Sequence, residues 1–147
     1  VAGRKPIVVG ASGLQQQLQS GDSFGGGNIA YSEQHYYPLA TIADAATLAW
    51  DASAKQKAKV TLAGNRTMGA VLNAVEGATY LLWVIQDATG SRTLSWTTTG
   101  AGSFDFGAAG APTLTTTANK ADLLQFEAVT IAGTLKLRFV GIAKGYG

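Results

Sequence analysis

Residues 123–143 read LLQFEAVTIAGTLKLRFVGIA, and this stretch decides the fold class. In its second half Leu135, Leu137 and Phe139 alternate with Lys136 and Arg138. On an extended chain that alternation puts the apolar side chains on one face and the cations on the other. Ala132-Gly133 separates this run from the preceding one, which predicts a hairpin of two strands, 123–131 and 134–143. Upstream, Thr79 to Gln86 is apolar at both odd and even positions. Such a run suits a strand in the middle of a sandwich, or one covered by a neighbouring subunit.

Working outward, Asp87 to Gly90 turns the chain and Arg92 to Thr97 returns it as a strand. The loop from Gly100 to Pro112 carries Phe104 and Phe106 two residues apart, positioned to point the same way and pin the loop to the core. Between Ile29 and Val75, short strands are predicted at Tyr36–Ile42, Ala46–Trp50, Lys59–Ala63 and Thr67-Met68. Asp44, Asp51 and Gly64-Asn65 supply the turns. Ala43 to Ala58 is rich in alanine, but Thr41, Thr47 and Trp50 favour extended chain over helix. Val71 to Val75 suits either a helical turn or a strand. No internal repeat or heptad marks the chain. Many short strands with glycine-marked turns predict an all-β protein: a β-sandwich or jelly-roll-like body over residues 29–147, with an extended N-terminal arm over residues 1–28.

The expected arm carries Ile7, Val8, Val9, Leu14, Leu18 and Phe24, and the hinge Gly25-Gly26-Gly27 follows. Six apolar side chains return too little to offset the conformational entropy of some 20 residues, so the arm is expected to order only against something larger. Its own body, a sister subunit or another protein would each serve, and these six residues are its candidate partner-binding positions.

Composition narrows the function classes. Hydrophobic residues make up 46% of the chain and charged ones 14%, below the quarter usual for soluble domains, which favours burial against other protein. A formal net charge of +2 with scattered cations gives no footprint for nucleic acid. Lys55, Lys57 and Lys59 are the one dense group, read as a solvated stripe or a guarded strand edge. No run of 18 apolar residues is present, so no membrane-spanning helix is expected. The chain has no cysteine and one histidine, His35, which removes thiolate chemistry, disulfides and histidine metal clusters. The nine acids are spread thinly, several at turn positions, and no phosphate or dinucleotide loop is present. No catalytic residue, metal or cofactor is expected, and the chain is read as a non-enzyme. Asn65-Arg66-Thr67 fits the N-glycosylation pattern and is read as a chance match within a turn. Tyr31, Tyr36 and Tyr37, with His35 among them, form a patch suited to packing on the arm, to a subunit interface or to a host receptor saccharide.

One resemblance adds to this. Asp87-Ala88-Thr89-Gly90 leads into the strand RTLSW, Arg92 to Trp96. The loop APTLTTTAN, Ala111 to Asn119, precedes DLLQF, Asp122 to Phe126. This succession resembles a module found in bacteriophage virion proteins, among them tail-fibre, head-fibre and capsid decoration proteins. The resemblance implies a structural protein of the virion, assembled in the bacterial host cytoplasm. The expected role is a capsid decoration (cement) protein, a homotrimer whose partner is the major capsid protein or other virion proteins. The alternative it implies is a tail-fibre or tail-tip module that binds a host receptor.

Overall fold

The computed structural model describes residues 37–147. Ile7, Val8, Val9, Leu14, Leu18 and Phe24 of the expected arm, together with Tyr31, His35 and Tyr36, lie outside the described residues. The described part is all-β. Its strands are β1 Leu39–Thr41, β2 Thr47–Leu48, β3 Lys57–Leu62, β4 Arg66–Met68, β5 Thr79–Gln86, β6 Leu94–Trp96, β7 Phe104–Asp105, β8 Ala121–Ile131 and β9 Thr134–Tyr146. One 3-10 turn, Gly107–Ala109, is its helical element. A six-stranded sheet runs β1-β3-β5-β8-β9-β7, and a three-stranded sheet runs β2-β4-β6. Both sheets contribute to one shared core, which makes the body sandwich-like.

The connectivity is built from coils. Each of the first three strand pairs places one strand in the large sheet and the next in the small one. The ladders β1-β3-β5 and β2-β4-β6 are therefore parallel, unlike the antiparallel sheets of a jelly roll. A third side closes each turn. Leu72 N–H donates to the Trp50 carbonyl at 2.9 Å, Ala52 N–H to the Leu72 carbonyl at 2.9 Å, and Val71 N–H to the Gly102 carbonyl at 2.7 Å. The segment 71–75 is thus neither helix nor regular strand, but holds a single bridge between Asp51 and Leu72. Gly102 is required here: its φ is +71°, and a Cβ would fall 2.1 Å from the Val71 carbonyl oxygen.

Polar side chains staple successive coils at their corners. Arg66 of the second coil donates to Asp44 of the first at 2.9 and 2.6 Å. Asn73 donates to Asp51 at 2.9 Å, and Asn65 accepts from the Thr93 amide of the third coil at 3.0 Å. Coil length is unequal. Leu39 pairs with Lys57, 18 residues on, whereas Lys57 pairs with Leu81, 24 residues on. A topological repeat therefore exists without a sequence period.

The large sheet is closed by the β8–β9 hairpin. Ala132 at φ +53° and Gly133 at φ +76° form its two-residue turn, with both central residues left-handed. Inward positions are apolar: Ala58, Val60 and Leu62 on β3, Tyr80, Leu82 and Val84 on β5, Leu124, Phe126 and Ala128 on β8. Phe126 is the hub of an aromatic group, with ring centroids 5.1 Å from Phe104, 5.8 Å from Trp96 and 5.8 Å from Phe139. Phe104 and Phe106 have ring planes 18° apart and point into this group, as expected of residues that pin their loop.

Candidate interaction surfaces

The turn and loop residues of the DATG–RTLSW and APTLTTTAN–DLLQF stretches hold the fold together. Asp87 accepts the Thr89 and Gly90 amides at 3.0 and 2.9 Å, which closes the turn. Gly90 sits at φ +73°, where a Cβ would lie 2.6 Å from the Thr116 carbonyl oxygen. Gln86, buried, clasps the far side of that turn by donating to the Arg92 carbonyl at 3.0 Å and accepting its amide at 2.8 Å. Asp122 is buried as well, and accepts Thr115 N–H at 2.6 Å and Gly145 N–H at 2.9 Å. It ties the 111–119 loop and the end of β9 to the start of β8. Burial without hydrogen bonds would cost a carboxylate heavily, and these amides answer that cost. The two stretches thus meet as one structural unit, with Ser91 N–H donating to the Thr116 carbonyl at 2.7 Å.

Four further carboxylates, Asp44, Asp51, Glu76 and Asp105, serve the same end. Hydrogen bonds from Arg66 hold Asp44 below its ordinary pKa, and Arg92 does the same for Asp87. Asn73, with Ser53, lowers Asp51, while Thr130 lowers Glu76. Each is held ionised, whereas a general acid needs the opposite shift. Asp105 pairs with Arg138. Among the described residues no three His, Asp or Glu side chains group as a metal site would.

What the body does present is an apolar sheet face. Strand register places Lys57, Leu81, Gln125 and Gly141 in one row on the outward side of the large sheet. The next row holds Lys59, Trp83, Leu123 and Ala143, and a third holds Thr61, Ile85, Ala121 and Tyr146. Leu81, Trp83, Ile85 and Leu123 are half-buried, while Tyr146 is 47% exposed with its ring 5.2 Å from that of Trp83. Lys57 and Lys59 border this stripe on β3, one strand in from the edge strand β1. Of the three lysines singled out in the sequence, Lys57 and Lys59 therefore line an outer face and not an edge, and Lys55 precedes β3. An apolar centre with a charged border is the composition of a protein contact. The sequence signal for it was the two-faced apolar run of β5, though not the residues from β8 and β9 that complete it. Of the tyrosine patch, Tyr37 is described: it stands 50% exposed just ahead of β1.

A cleft of about 490 Å³ opens elsewhere, beside the small sheet. Leu94, Ser95 and Trp96 of β6 form one side, and Phe106, Gly107, Gly110 and Ala111 the other. No family model, curated protein or solved structure matches this chain.

Proposed function

We propose that the chain is a structural protein of a bacteriophage virion, a capsid decoration protein that fastens shell subunits through contact area. The reading rests on the apolar outer face of the large sheet, on a body whose polar residues are spent on holding its own turns. The likeness of residues 87–126 to a virion module points the same way. In this reading the face carrying Leu81, Trp83 and Tyr146 seats on the major capsid protein, and residues 1–28 reach along the shell or onto a sister copy in a trimer. Burial of such a face supplies about 25 cal/mol per Å², without any chemical step.

Capsid occupancy tests it. Trp83→Glu puts a charge at the centre of the stripe while leaving the core intact, and should lower occupancy on stripped capsids sharply with a near-normal melting temperature. Full occupancy by this variant would refute the assignment of that face. Removal of residues 1–25 should abolish binding while the body still melts cooperatively. The tail-fibre reading is kept in view by the exposure of Tyr37. It requires that alanine at Tyr36 and Tyr37 reduce attachment to host cells and leave particle stability alone.

A further inference from the structure

The two sheets end differently, and the small one ends open. The large sheet's third coil strand, β5, is covered by β8 through a ladder from Thr79 to Ile85. The small sheet's third coil strand, β6, pairs with β4 on one side only. Arg66 N–H donates to the Thr93 carbonyl and Thr97 N–H to the Met68 carbonyl, so residues 93, 95 and 97 turn their main-chain groups toward β4. Those of Leu94 and Trp96 therefore face away, and they bond to no other described residue. The cleft runs along this edge. Its far wall is small, and a Cβ at Gly107 or Gly110 would meet nothing within 4 Å. A slot along an unpaired strand edge suits the addition of a single extended segment.

We propose that this slot is a strand-acceptor site, filled by residues Ile7-Val8-Val9 of a second copy. Three observations select that segment. β4 and β6 are three residues long, as is Ile7–Val9. The inward stack Leu48, Met68, Trp96 asks for apolar side chains at alternate positions, which Ile7 and Val9 supply, with Val8 outward beside exposed Ser95. Pro6 just ahead is tolerated, because the first residue of a strand need not donate. The roughly 28 residues between Val8 and Tyr37 span about 90–100 Å when extended, enough to reach a neighbour. Because donor and acceptor are different surfaces, the contact is head-to-tail, a kind that makes a ring such as a trimer where the rotation closes. The inference rests on reading residues 1–28 as an arm, and it names where the arm lands.

The chain has no cysteine, which permits a clean test on the full-length protein. Val8→Cys and Ser95→Cys are made in separate chains, mixed and oxidised. Adjacent strands lie about 4.8 Å apart, within the Cα range a disulfide tolerates. The expected result is a mixed disulfide dimer at a yield about tenfold above that of Val8→Cys with Glu127→Cys, which lies on the outer face of the large sheet. Adding Leu94→Pro to the Ser95→Cys chain deletes an outward amide and should remove that yield, whereas Leu94→Ala should keep most of it. A third chain carries Val8→Cys and Ser95→Cys together; a disulfide formed within that chain, with none between the separate chains, would overturn donation by a second copy. No disulfide in either arrangement would overturn strand addition altogether. Neither result depends on capsid binding, so failure here is distinct from failure of the decoration reading.

Discussion

The large and small sheets are made by the same three coils, yet they bear different loads. Six strands, a 13-residue last strand and most of the core belong to the first. The second has three strands of two or three residues, held by corner side chains as much as by its ladder. The difference comes from one decision late in the chain: β8 and β9 return to the large sheet and leave the small one uncapped. A parallel coil stack has an open end wherever the chain stops coiling, and closing one sheet leaves the other available. The molecule thus separates a sealed, apolar outer face from a narrow open edge.

Substitutions put that contrast to the test. The largest loss is expected at Phe126→Ala, where the hairpin's ring meets Trp96 of the small sheet and Phe104 of the large one. Removing it should cost about 3–5 kcal/mol in denaturant unfolding, and should unfold both sheets in one transition. Two separate transitions would show that the sheets do not share a core. Gly102→Ala comes next. It forces a Cβ against the Val71 carbonyl at a positive φ, and should cost about 1–3 kcal/mol or more from strain, measured in the same way.

Corner stapling gives a smaller, pH-dependent effect. Asp44 and Asp87 have folded-state pKa values below their unfolded ones. Their contribution is therefore complete above the unfolded value, about 3.9, and fades as pH falls through the folded value. Melting temperature should drop on acidification below about pH 4, and Asp44→Asn should flatten part of that drop. An unchanged acid slope in the variant would exclude the Asp44–Arg66 staple as a contributor.

Much of the large sheet was legible beforehand. Period-two alternation located β9, the apolar run located β5, and Ala132-Gly133 located the hairpin, because each signal is local and several residues long. The shortest strands, the small sheet's and the large sheet's β1, were less so. Strands of two or three residues carry no periodicity: among the described residues the predicted Tyr36–Ile42 leaves Leu39–Thr41, and Ala46–Trp50 shrinks to Thr47–Leu48. Parallel pairing between coils was invisible because the partners in β1-β3-β5 and β2-β4-β6 stand 18 to 28 residues apart at irregular intervals. Asp122 looked like one more acid; only the fold brings the Thr115 and Gly145 amides to it. Ser95 and Leu94 gained meaning once β6 proved to be the last strand of its stack.

Radical footprinting of tryptophan on free and capsid-bound protein asks whether the outer face is the one that seats, with Trp83 as the reporter and buried Trp50 as the control. If the large sheet's face seats on the capsid, half-buried Trp83 labels in the free protein and becomes protected on the particle, while Trp50 stays unlabelled throughout. Equal labelling of Trp83 in both states would contradict it.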